Sequence, residues 1–279
     1  MKRALGYSVG WVLLSLSFAF GVYRVMGHEA GLEFLTGYLI EYALSVDNIF
    51  VFVLIFAYFE VPQRYQHRVL FWGIIGALVL RGTMILAGSA LVARFSWVLY
   101  LFGAFLVFTG LRMALQKDES TYDPNKDPVF RFARKIIPVT RHFRDEAFFV
   151  RERDESGAFR RYATPLFIVL LVIDTTDVVF ATDSIPAIFA VTRDPFIVYT
   201  SNICAVLGLR ALYSVLAGAM DKFHYLKIGL AIVLMFIGVK MLIEHFFPIP
   251  ILASLGVVAV ILVAAVFSSL RWPKAHKHA

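Results

Sequence analysis

Five carboxylates fall where few are tolerated. Glu41, Asp47, Asp174, Asp177 and Asp183 all lie within long apolar runs of a 279-residue chain. An ionisable group held inside a membrane costs about 2.5–3.5 kcal/mol even on insertion scales, so each needs a partner or a task. Two mid-run cations, Arg81 and Arg210, can compensate two of the five acids, which leaves three negative charges in excess. Buried excess negative charge suits a cation or protons. Ser45, Asn48, Thr182 and Ser184 extend the set with neutral oxygens, and neither acidic run contains His or Cys. Hard oxygen donors favour Mg2+, Ca2+ or Mn2+ over Cu+ or thiolate-held zinc. A proton relay through the same carboxylates is the alternative chemistry.

Spacing decides which of these residues cooperate. Seven positions return a side chain to one helical face, so Glu41 pairs with Asn48 and Asp177 with Ser184. Six positions leave Glu41 and Asp47 about 120° apart, able to share one ion only if the helix is interrupted. Pro186 predicts such an interruption in the second acidic run, with freed carbonyls as further ligands. The first run has no proline.

The elements that must position these groups follow from composition. Apolar residues make up 59% of the chain, charged residues 17%, and mean hydropathy is +0.74. Soluble domains carry about 45–50% apolar and about 25% charged residues. The balance excludes a soluble enzyme, a nucleic-acid binder and a secreted disulfide scaffold, and the single Cys204 forms no internal disulfide. No catalytic triad, phosphate loop or nucleotide motif occurs, so neither enzymatic chemistry nor ATP-driven pumping is expected.

Eight stretches reach the length of a membrane span: 5–26, 34–58, 69–93, 95–115, 164–191, 196–219, 225–246 and 250–270. The first reads as a retained helix, because no small-residue cleavage site follows it. With the N-terminus inside, the inner ends collect Lys2, Arg3, Arg64, Arg68, Lys222, Lys227, Arg271, Lys274 and Lys277. The outer loops receive Arg24, Arg94 and Arg193, with Lys240 near an outer end. Cations gather on the cytoplasmic side of membrane proteins, which predicts both termini cytoplasmic. Residues 116–163 form one long cytoplasmic loop. A surface helix starting at Asp127 and a hairpin joining Phe148–Val150 to Phe159–Tyr162 through Asp154–Gly157 are expected there, with a solvated connector as the alternative. The His276–His278 tail reads as a solvated end.

The chain repeats itself. Glu41-Tyr-Ala-Leu-Ser-Val-Asp47-Asn48-Ile49 matches Asp177-Val-Val-Phe-Ala-Thr-Asp183-Ser184-Ile185. Arg81 matches Arg210, each followed by Leu-Ala-Gly. Phe108-Thr-Gly110-Leu-Arg112-Met113 matches Phe236-Ile-Gly238-Val-Lys240-Met241. Three matches in order, at offsets of 136, 129 to 130 and 128, define two units of three helices. An odd number of spans inserts the second unit upside down, the plan of many secondary transporters, whose sites lie near the midplane. The predicted architecture is an all-α polytopic membrane protein of about eight helices with an inverted repeat. Its parts are an added helix (1–30), a first repeat (31–115), the loop (116–163), an inverted second repeat (164–246), and a last helix with a basic tail (247–279).

The segments Tyr42–Phe50 and Phe180–Phe189, followed by Thr192–Asn202 and Gly208–Tyr213, resemble the TerC family, over roughly residues 30–246 and closest to its Alx-type branch. The resemblance implies an inner-membrane protein related to LysE-type exporters, linked to tellurium resistance by name and to Mn2+ efflux by function. It carries the family's acidic motifs onto Glu41, Asp47, Asn48, Asp174, Asp177 and Asp183. Asp174, where Glu is common, and Thr182, where an apolar residue is usual, depart from it, which bears on ion preference. The expected function is Mn2+ export by alternating access, the ion being substrate and no cofactor resident. Asp47 and Asp183 are the expected central ligands, with Glu41 on the outer approach and Asp177 and Asp174 on the cytoplasmic one. An oxyanion carrier binding through Arg81 and Arg210 is one rival. The other is a scaffold that aids metal loading of exported proteins.

Overall fold

In lipid a long apolar segment satisfies its backbone N–H and C=O groups locally only as an α-helix. The computed structural model describes residues 2–115, 137–140, 142–153, 159–216 and 225–271, with the side chains of residues 2–4, Asp47, Phe50, Arg210 and Leu216 outside the description. Its helices are α1 (Lys2–Met26), α2 (His28–Tyr58), α3 (Gln63–Arg94), α4 (Val98–Leu115), α5 (Pro165–Phe189), α6 (Pro195–Leu216), α7 (Leu226–Ile243) and α8 (Ile251–Arg271). All eight are long and apolar enough to cross a bilayer. This is an all-α polytopic membrane protein. Helices α2 and α3 start earlier than their apolar runs, because polar first turns carry them beyond the hydrocarbon. At 31 and 32 residues they measure about 46–48 Å at ~1.5 Å per residue.

Packing follows the repeat. Helix α2 lies along α6 and α3 along α5, which are the same pairing once the two units are exchanged, while α4 lies along its own counterpart α7. The α4–α7 contact shows the two-fold directly. A Cβ on Gly110 would stand 2.7 Å from the Ala231 carbonyl and 2.7 Å from Met235; one on Gly238 would stand 2.6 Å from the Gly103 carbonyl and 2.8 Å from the Val107 nitrogen. Adding 128 turns 110, 103 and 107 into 238, 231 and 235, so each contact is the other's image. The helices cross antiparallel, as an inverted repeat requires. Outside the two units, α1 covers α2 and α6, and α8 covers α7 and α2.

Two expectations about local structure are corrected. Pro186 does not break its helix: α5 continues to Phe189. Proline removes the donor for the Thr182 carbonyl, but one missing bond in the last turn leaves the surrounding ladder intact. Likewise α2 runs unbroken through Glu41 and Asn48. In the long loop, strands β1 (Phe149–Arg153) and β2 (Phe159–Ala163) form the antiparallel hairpin. Residues 137–140, at the far end of the expected surface helix, are extended instead. Val139 bridges Ala163, and Thr140 donates to the Ala163 carbonyl at 2.9 Å. The rest of that helix from Asp127, the Asp154–Gly157 turn and the His276–His278 tail lie outside the described residues. The hairpin docks on the start of α5. Thr164 donates to the Ala147 carbonyl at 2.7 Å, Phe149 and Phe167 rings lie 4.5 Å apart, and Pro165 takes the first helical position, where its missing N–H costs nothing.

Candidate functional site

Two apolar clusters leave a polar waist between them. Towards the hairpin end, Phe52, Phe56, Tyr65, Val69, Ile173 and Leu209 pack into one cluster. Towards the opposite end, Ile85, Ala181, Ile185, Phe189 and Val198 form another. On α3 the boundary falls between Ala77 and Ile85; on α5, between Ile173 and Ala181. Arg81 and Asp177 occupy those gaps.

Arg81 organises the waist. Its Nε and Nη2 donate to Asp177 Oδ2 and Oδ1, each at 2.8 Å, the planar fork that guanidinium and carboxylate share. Its Nη1 donates to Glu41 and reaches Ser184 Oγ and Asn202 Oδ1 at 3.5 Å. Arg81, Glu41 and Asp177 are 1%, 0% and 2% exposed. Helices α2, α3, α5 and α6 therefore meet at one cation. Glu41 and Asp177, expected on separate approaches, come together at the same guanidinium. The spacing argument explains why Ser184 joins them: it lies on the Asp177 face, seven positions on. Polar atoms remain open nearby, since Glu41 Oε2, Ser45 Oγ and Asn202 Nδ2 are buried without a hydrogen-bond partner.

Other candidate residues lie elsewhere. Asn48 is buried on α2, seven positions beyond Glu41. Asp183 turns away from Arg81 and is half-buried against α4, beside the Thr109 hydroxyl and Arg112. Six residues from Asp177 put it on another face of an unbroken helix. Thr182 is exposed and donates to the Val179 carbonyl rather than to the waist. Asp174 stands one turn before Asp177 and lies over Gly73 and Gly76 of α3; its carboxylate would be 2.8 Å from a Cβ on Gly76. Its Oδ1 has no partner. The Asp47 and Arg210 side chains lie outside the described residues. Among the described residues no three His, Cys, Asp or Glu side chains converge as a metal cluster. An ion at the waist would use two carboxylates and neutral oxygens. Asn202 was missed by acid-centred reading; its signal was an amide in the middle of an apolar span.

A sequence profile of the TerC integral membrane protein family matches residues 26–277. The chain belongs to this family. Among its relatives, the membrane protein STKORF319 of Myxococcus xanthus, described as uncharacterised, is 52% identical over 96% of this chain and 82% of its own length. Alx of Escherichia coli K12, proposed by its name to be a membrane-bound redox modulator, is 52% identical over 94% of this chain and 83% of its own. An uncharacterised membrane protein of Rickettsia bellii is 43% identical over 96% of this chain and 87% of its own. No solved structure matches the chain. Membership of the TerC family agrees with the acidic segments on α2 and α5 that the repeat brings together.

Proposed function

We propose that this TerC-family protein is a secondary transporter that exports a divalent cation, Mn2+ first, across the inner membrane, with both termini cytoplasmic. The observation that carries the reading is the meeting of Glu41 and Asp177, equivalent residues of the two repeats, in a sealed waist lined by oxygen. Two carboxylates offset the charge of one divalent ion, and Ser184, Asn202 and Ser45 supply neutral donors of the hard type. Apolar clusters on both sides, each built from residues of both repeats, supply a plug at either end of the waist, as alternating access requires. The offset Asp183 and Asp174 serve as stations on the paths that lead away from the centre.

An oxyanion substrate fits less well. Arg81 already donates to carboxylates through Nε, Nη1 and Nη2. A thiol-based redox role, which the name of the Alx relatives brings to mind, would need a second thiol from a partner, because Cys204 is the single cysteine. The test is purified protein in vesicles that enclose a metal-sensitive dye. Mn2+ entry that requires the protein and is lost in Glu41→Gln supports export. Vesicles that stay dark, with protein correctly inserted, would turn the assignment towards a scaffold.

A further inference from the structure

The Arg81 guanidinium lies where a bound cation would lie. It gathers five oxygens from three other helices: both of Asp177, one of Glu41, and those of Ser184 and Asn202. Charge decides what an arriving ion can do. Glu41, Asp177 and Arg81 together carry one net negative charge. A divalent ion added beside Arg81 would leave a net positive charge in a buried waist closed by apolar clusters; an ion that replaces the guanidinium leaves none. Uncompensated buried charge is the costly state, so replacement is favoured over addition.

Replacement needs a second berth, and α5 has one. Asp174 lies one turn before Asp177 on the helix that packs along α3, and its buried Oδ1 has no partner. Gly73 and Gly76 make the α3 surface under Asp174 bare. Side chains lean towards the N-terminus of their helix, and from Arg81 that direction leads to the level of Gly76. A cavity of about 20 Å3 beside Asp177, lined by Phe52, Gly73, Ala77, Ile173 and Leu209, leaves free volume in the packing one turn below Arg81. The repeat supplies no counterpart to Asp174: the equivalent position on α2 is Tyr38. The berth exists on one side only.

We propose that Arg81 is a tethered cation that fills the carboxylate pair in the empty carrier, and that substrate drives its guanidinium from Asp177 to Asp174. This rests on the cation-export reading above. Unloaded, the carrier is held shut by Arg81 across four helices. Loaded, it has α3 released from Glu41 and Asp177, so the ion itself unlocks the movement.

Equilibrium binding of Mn2+ alone to purified protein tests this. Arg81→Gln removes the competitor and should bind Mn2+ about tenfold more tightly. Asp174→Asn removes the berth and should weaken binding about tenfold in the parent, yet change little in the Arg81→Gln background, since there is no guanidinium left to rehouse. Arg81→Lys covers the case in which the glutamine variant does not fold: lysine cannot make the fork, so it too should bind more tightly than the parent. Unchanged or weaker binding in the folded arginine variants, or an equal Asp174→Asn effect in both backgrounds, overturns the proposal. If Glu41→Gln and Asp177→Asn bind Mn2+ as the parent does, the export site itself is wrong. If they lose binding while the Arg81 variants do not tighten, only the displacement falls.

Discussion

Glu41 and Asp177, 136 positions apart and equivalent in the two repeats, are bound by different nitrogens of the one Arg81 guanidinium. The two-fold relation seen between α4 and α7 therefore also links the acids at the waist. The bridging cation is Arg81 of the first repeat.

That bridge makes Glu41→Gln and Asp177→Asn severe. Each leaves a buried guanidinium short of a partner, and breaking a buried pair in this way costs about 3–5 kcal/mol. Mn2+ resistance of expressing cells, normalised to membrane level, should fall at least as far as in Asp183→Asn. Asp183 is half-buried beside α4 and holds no part of the bridge. A Glu41→Gln strain that resists Mn2+ like the parent, while Asp183→Asn does not, would move the centre of the path to α4.

Gly110 and Gly238 should respond as a matched pair. Any Cβ at either meets main-chain atoms of the facing helix at 2.6–2.8 Å, and backbone cannot rotate aside. Overpacking of this kind costs about 1–3 kcal/mol. Thermal unfolding in detergent should show Gly110→Ala and Gly238→Ala lowered by similar amounts. Neutral behaviour of both would contradict the close crossing of α4 and α7.

Gly76→Ala offers a gentler probe. Its Cβ meets the Asp174 carboxylate, the movable end of a side chain, so stability should change little. The carboxylate is pushed off α3, and transport should fall as in Asp174→Asn. The double variant should be no worse than either single one, as residues in contact are not additive. Additive loss would mean that Gly76 acts independently of Asp174.

Topology can be read with a membrane-impermeant thiol reagent in a Cys204→Ser background. Asp145→Cys, beside the hairpin, should be protected in intact cells and labelled after lysis. Arg193→Cys, between α5 and α6, should be labelled in both. Labelling of the hairpin from outside would invert the orientation drawn from the cations.

Much of this architecture is legible in the amino-acid sequence. Local composition determines whether a segment crosses lipid, so all eight helices follow from apolar run length. The inverted repeat follows from counting helices between the Glu41 and Asp177 segments. The Asp177–Ser184 face follows from helical periodicity alone. Other features depend on which helices lie side by side, and periodicity is silent about that. Nothing local in the Arg81 segment says that its guanidinium takes both Asp177 and Glu41, 96 and 40 positions away. Pro186 looked like a break because its missing donor is a local fact, whereas the persistence of α5 is set by the ladder and neighbours around it. Asp183 looked central because it aligns with Asp47, but an unbroken helix turns it towards α4. Asn202 joins the waist because α6 packs on α3 as well as α2 and so brings its amide to Arg81. Sequence determined the membrane-spanning elements, their pseudo-symmetry and the stock of buried charge; tertiary packing alone decided which charges meet, because a buried ion takes its partners from adjacent helices.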